Sequence, residues 1–180
     1  MRVSSKNKII KHFKNMKLQT LSIGLCLSAI LSVSSFNLWK PRSIDGSWKI
    51  VKVENINNDG TKSSIFPKQS HVIFAGKLYS FCWSSDDSSG VSWVMIDEEK
   101  LNRMNRTVIN TGKFYFKDDH LFTEAEYGLN PKFVNGVAKF DVAYSGDTLV
   151  LKCTSVLSKD NVLHPFYTKA YSISKLVRNK

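Results

Sequence analysis

From Trp48 onward, apolar side chains recur at every second position in runs of about five to ten residues, and most runs end at Gly, Asn, Asp or Ser. A period of two gives a strand one dry face and one wet face, whereas a helix repeats near 3.6. The runs are Trp48 to Val53, His71 to Phe74, Leu78 to Trp83, Val91 to Met95, Val108 to Lys117, Leu121 to Tyr127, Gly136 to Tyr144, Thr148 to Ser155 and Tyr171 to Val177. Several are separated only by tight turns: Ala75-Gly76-Lys77, Asp118-Asp119-His120 and Ser145-Gly146-Asp147. Hairpins of this kind place successive strands side by side and antiparallel.

One stretch breaks the pattern. Ile96 to Met104, IDEEKLNRM, predicts a short helix, with Asp97 as its cap, Glu98 and Glu99 in the positive first turn, and Arg103 and Arg106 near the negative end. Eight or nine short strands in hairpin order predict an all-β fold: an antiparallel, eight-stranded, up-and-down β-barrel with one short helix, because closure removes exposed sheet edges. The segment Asn55 to Gln69, with Asn58-Asp59-Gly60 and Pro67, is expected to be a long exposed loop.

The first 35 residues are of a different kind. They hold six basic side chains and no acid, then the thirteen-residue run LSIGLCLSAILSV from Leu21 to Val33, then Ser34 and Ser35. This is the anatomy of a signal peptide, and the run is shorter than the roughly 20 residues a membrane-spanning helix needs. Residues 1–35 are therefore expected to be a removable leader, residues 36–43 a linker and residues 44–180 the barrel domain. The mature chain would be periplasmic or secreted, with no stable membrane span. An uncleaved N-terminal anchor is the alternative. A chain starting at Met16 would have a more compact basic region, and Leu25 before Cys26 departs from the small residue a lipoprotein requires.

The leader also accounts for much of the formal charge of +11, leaving 20 basic against 15 acidic side chains and a net of +5. Without Arg-rich clusters this is an ordinary soluble surface, and no nucleic-acid partner is expected. Export would let a disulfide persist, but alternation puts Cys82 outward and Cys153 inward, so both are expected as free thiols.

No catalytic constellation emerges. His71, His120 and His164 lack metal-ligand spacing, no serine lies in a nucleophile elbow, and glycine-rich phosphate loops are absent, so no metal, cofactor or catalytic residue is assigned. Glu124 and Glu126 share one face of a strand, which reads as a solvated outer face. Were they inward, within reach of Tyr79 or Tyr127, a barrel isomerase or cyclase would become tenable.

Asp45-Gly46-Ser47-Trp48 resembles the G-x-W opening of lipocalins. The series Phe74 through Tyr79-Ser80, Asp97-Glu98-Glu99, Asn110-Thr111-Gly112-Lys113-Phe114, Asn130-Pro131-Lys132-Phe133, Gly146-Asp147-Thr148-Leu149 and Lys175-Leu176-Val177-Arg178 is similar to bacterial lipocalin-like domain proteins of calycin type, over about Ile44 to Arg178. The resemblance implies a barrel with an interior pocket and an arginine of the last strand lying across the opening tryptophan. Gly46, Trp48 and Arg178 are thus expected to form a structural lock, a cation–π contact of roughly 0.5–2 kcal/mol.

Phe74, Tyr79, Phe81, Trp83, Trp93, Phe114, Phe116, Phe140 and Tyr144 fall largely on one parity of their strands. All but Trp93 are the expected lining of the barrel interior. Eight strands leave room for a side-chain core or for one small ligand, and the filled core is the plainer expectation. The polar ends of Tyr and Trp keep the ligand reading alive. The leading functional expectation is an exported, non-catalytic binder of a small apolar or amphipathic molecule. The alternative is a structural or interaction module of the cell envelope with a filled barrel. N-terminal sequencing of the exported chain is expected to begin at Phe36, and a sequence starting within residues 1–35 identifies an uncleaved anchor instead.

Overall fold

The computed structural model describes residues 42–87 and 92–179. The leader, Met16, the cleavage position after Ser35 and Val91 lie outside these residues. The barrel occupies the unit Ile44–Lys180.

Among the described residues nine strands form: β1 Gly46–Ile56, β2 Lys62–Ile65, β3 Gln69–Ala75, β4 Leu78–Ser84, β5 Thr107–Lys117, β6 His120–Gly128, β7 Val137–Ser145, β8 Thr148–Leu157 and β9 Tyr171–Arg178. All pairings are antiparallel, in the order β2-β1-β3-β4-β5-β6-β7-β8-β9, and β1 also pairs with β9. The sheet therefore closes on itself as an eight-stranded barrel, because β2 and β3 pair along the same side of β1.

Pro67, which has no amide proton to offer a ladder, sits in the break between those two strands. The Ser70 hydroxyl spans the gap, accepting from the Ile50 N–H at 3.0 Å and donating to the Ile50 carbonyl at 3.1 Å. This corrects the expected long loop. Asn55 and Ile56 finish β1, residues 57–61 form a turn pinned by Asp59 Oδ1 accepting from the Thr61 N–H, and Lys62–Ile65 is strand.

The helix α1, Asp97–Asn105, sits between β4 and β5. Ile96 takes the cap position that the sequence suggested for Asp97, and its N–H is accepted by Glu99 Oε2 at 3.1 Å. Residues 92–95 are not strand, so the run read there is corrected, and Trp93 is fully exposed at 104 %. No helix among the described residues is long and apolar enough to cross a membrane.

The two ends of the barrel differ. At one end the strands join through two-residue turns at Gly76-Lys77, Asp118-Asp119 and Gly146-Asp147, where both aspartates of the middle turn adopt positive φ (51° and 60°) as a tight hairpin turn demands. At the other end lie the long connections: α1, the short turn of helix Pro131–Phe133, and a second one at Pro165–Thr168. The tight end is packed solid with Trp48, Ile50, Val72, Phe74, Leu121, Leu149 and Leu176. Each such side chain, fully withdrawn from water, contributes about 1.5–3 kcal/mol.

Trp48 forms the floor. It is 1 % exposed, and its indole N–H donates to the Ile44 carbonyl at 2.8 Å. Arg178, its register partner across β1–β9, lays its guanidinium carbon 4.3 Å from the indole centroid and donates to the Asp45 carbonyl at 3.0 Å. Gly46 has a φ of +131°, and a Cβ there would fall on the Arg178 guanidinium. Glycine thus serves both the backbone turn and the cation's approach.

Three register shifts interrupt the ladders. They leave one unpaired residue each in β1 (Val51), β6 (Glu126) and β8 (Thr154). A β-bulge of this kind reverses which parity faces inward. In β1 the buried face passes from Trp48 and Ile50 to Val53.

Gly46→Ala is expected to lower unfolding free energy by about 1–3 kcal/mol through its disfavoured φ. Arg178→Ala, with its guanidinium partly in water, is expected to cost about 0.5–1 kcal/mol. Urea denaturation of both single variants and the double should give a double cost below the sum, since the cation that the new Cβ displaces is already gone.

Candidate functional site

The hollow part of the barrel lies above the packed floor. A cavity of about 880 Å³ is bounded by Phe74, Tyr79, Leu121 and Leu151 below, and by Phe81, Trp83, Thr123, Ala138, Phe140, Cys153, Ser172 and Ser174 along the walls. At the end of the long connections it reaches Met104, Asn105, Asn130, Phe133, His164, Phe166 and Tyr167. This volume falls in the range of small-molecule sites, roughly 300–1,000 Å³. The expected filled interior is thereby corrected: packing is complete only at the floor.

Five of the eight side chains expected to line the interior do so: Phe74, Tyr79, Phe81, Trp83 and Phe140. The other three do not border the cavity, two of them because they pack in the interior core below it. Phe114 is buried within the packed floor, edge-on to Phe74 with centroids 5.3 Å apart. Tyr144 packs against Trp48, 6.4 Å between centroids. Phe116 is 52 % exposed because β5 overruns the start of β4, whose Leu78 pairs with Lys113, so one flank of Phe116 has no strand beside it.

Glu124 and Glu126 face solvent, and Glu126 pairs with Lys113 at 2.6 Å on the outer wall. Tyr127, on the inward parity of Thr123 and Ala125, is turned out to 61 % exposure by the bulge at Glu126. The arrangement needed for an isomerase or cyclase, a carboxylate beside Tyr79 or Tyr127 inside the barrel, is not formed by these residues.

Of the described residues around the cavity, none is Asp, Glu, Lys or Arg. Its polar groups are Asn, Ser, Thr, Tyr, Trp and Cys side chains, with His164 at the mouth. Tyr167 and Ser172 hydroxyls lie 3.2 Å apart, and Cys153 sits across the ladder from Ser172. Cys82 and Cys153 are both free thiols. Burial pushes the Cys153 thiol up to about 11, against a weaker opposing pull from Tyr167, so it stays protonated and is no thiolate nucleophile. Burial first, and then the nearby Cys153, raises Tyr167 as well.

Tyr79 is 2 % exposed, and its hydroxyl is pushed up to about 12 by burial, against an opposing pull from the Thr123 hydroxyl and with a small addition from the Glu126 charge. Thr123 is its polar neighbour, yet the buried Tyr79 oxygen has no partner that meets hydrogen-bond geometry.

No protein-family model matches the chain, and no curated protein matches it. The architecture itself is that of a closed eight-stranded antiparallel barrel with one short helix, compatible with a calycin-like fold.

Sequence reasoning missed the mouth. Met104, Phe133, Phe166 and Tyr167 lie on connections that carry no alternation. Phe166 and Tyr167 meet edge-on at 4.9 Å, and His164 Nδ1 accepts from the Phe166 N–H at 3.2 Å. It also missed Ser172 and Ser174, though a signal was there: they share the parity of buried Leu176 on β9, and hydroxyls on an inward face argue against a dry core. No group of three or more potential ligands able to hold a metal occurs among the described residues.

In the unfolded chain thiols and phenols lose their protons near pH 8.5–10. The fold keeps Cys153 protonated to about 11 and Tyr79 to about 12, so the folded state binds more protons in that window. Stability is therefore expected to fall as pH rises from about 9 towards 12, and to be unaffected by these groups below it. Urea midpoints measured across that range should show the decline, and Tyr79→Phe should flatten its upper part.

Proposed function

We propose that this chain is a lipocalin-like protein of calycin type that binds one small, uncharged, apolar or amphipathic molecule in the mouth-end cavity and performs no catalysis. The observation that carries the reading is the combination of an 880 Å³ hollow with a wall of aromatic, aliphatic and polar side chains that includes no Asp, Glu, Lys or Arg among the described residues. Burial of apolar surface drives binding in such a site, and the few polar groups set orientation. The G-x-W opening of the barrel, with Arg178 across Trp48, supports the family reading. It supports fold more than ligand, because barrels of one architecture host many functions.

Export is part of the same proposal, to the periplasm or the medium, on the basic and then apolar character of residues 1–35. The cavity favours binding over a purely structural module, since a barrel serving only as a scaffold gains stability by filling its interior.

Ala138 lines the cavity and is buried, so Ala138→Phe adds a ring where the ligand would lie. The wild-type protein is expected to enhance the fluorescence of neutral N-phenyl-naphthylamine with one-to-one saturation, and Ala138→Phe to weaken that binding at least about tenfold while the barrel still unfolds cooperatively. Equal binding by both proteins would place the probe elsewhere and remove the proposal.

A further inference from the structure

The Tyr79 hydroxyl is buried in the cavity wall and no partner meets full hydrogen-bond geometry with it, the hydroxyl of Thr123 being its polar neighbour. Native proteins rarely leave such a group unpaired, and the exceptions call for a water, an ion or a ligand. Its position makes the demand specific. Tyr79 pairs with Phe74 on one side and Gly112 on the other, next to the packed floor. Gly112 lets the β6 backbone come close beside Tyr79, since a Cβ there would fall on the Glu124 carbonyl. Thr123, 3 % exposed and also on the cavity wall, adds a second hydroxyl at this level. Above it the walls are Phe81, Trp83 and Phe140, with the Tyr167 and Ser172 hydroxyls on each other.

Resting on the reading that the cavity binds a small molecule, we propose that the ligand enters polar end first: a neutral hydroxyl or carbonyl group docks on Tyr79 at the bottom, and an apolar body fills the aromatic walls up to the mouth. The head group must be neutral. An ionised carboxylate or phosphate would lose its hydration with no Lys or Arg in the lining to replace it, and an ammonium would find no carboxylate. Tyr79 serves either kind of neutral head, because a phenol donates to a carbonyl and both donates to and accepts from an alcohol. The selected class is thus long-chain alcohols, ketones and esters over fatty acids of the same length.

Displacement of diphenylhexatriene, a fluorescent hydrocarbon with no polar group, reads this directly. Matched competitors of twelve carbons are dodecanol, 2-dodecanone and dodecanoate at about pH 8, used with the wild-type protein and Tyr79→Phe. The alcohol and ketone are expected to compete at least about tenfold more strongly than dodecanoate. Tyr79→Phe is expected to weaken both about three- to tenfold, the loss of one hydrogen bond, while leaving hydrocarbon binding unchanged. Its melting temperature should equal or exceed that of the wild type, since the variant removes only an unpaired oxygen.

Dodecanoate competing as well as dodecanol overturns the head-group assignment. Equal alcohol affinities in the two proteins also overturn it, as they would if a bound water satisfies Tyr79, and so does a fall in melting temperature, which would mean the hydroxyl has a structural partner. In each of those cases retained diphenylhexatriene binding leaves the cavity reading standing. Absence of diphenylhexatriene binding to the wild type defeats that reading itself, and the head-group assignment with it.

Discussion

The barrel exists because its first strand finds its last. Pairing of β1 with β9 removes the two edges an open sheet would present, and the Trp48–Arg178 contact fixes where that seam begins. The indole is held from three directions: by the Ile44 carbonyl at its N–H, by Tyr144 at its side and by the guanidinium over its face. Arg178 is in turn held by Asp45, and Asn179 extends the seam by bonding both the backbone and the hydroxyl of Ser47. Gly46 makes the approach sterically feasible. Remove closure, and the cavity loses one wall, since Val53 and Asn55 of β1 and Ser172 and Ser174 of β9 line it together.

Packing divides along the barrel axis. Tight hairpins pull the strands together at the floor, where side chains from all around the ring meet and exclude space. Toward the long connections the wall residues become smaller or more polar, with Thr123, Ala138, Cys153, Ser172 and Ser174 on inward faces, and they no longer meet across the middle. A filled interior and an open one are therefore both present, one above the other. The lower part supplies stability, and the upper part is free of that duty.

Much of this architecture was legible in the chain because alternation is a direct consequence of strand geometry. The hairpins at Gly76, Asp118 and Gly146, the helix near Asp97, the free thiols and the inward Phe74, Tyr79, Phe81, Trp83 and Phe140 all derive from period and turn chemistry. What escaped were quantities that depend on neighbours in space. The bulge at Glu126 that turns Tyr127 outward exists only relative to β5, and the overrun that bares Phe116 exists only relative to β4. Phe114 and Phe140 look alike on their strands, yet one packs into the floor and the other lines the cavity above it. The mouth was invisible for a different reason: Met104, Phe133, Phe166 and Tyr167 belong to connections, where no periodicity marks a face.

Because the seam joins the barrel's first strand to its last, it cannot form before β9 is available. Asp45 and Arg178 stand 133 positions apart, which at about 5–20 residues per second is roughly 7–27 s of elongation. Hairpins such as β3–β4 and β7–β8 form in about 1–10 μs, so they are complete long before β9 emerges. Throughout that interval β1 offers a bare hydrogen-bonding edge to any neighbouring strand. The chain is thus adhesive until β9 arrives, and a product arrested before Tyr171 would remain so.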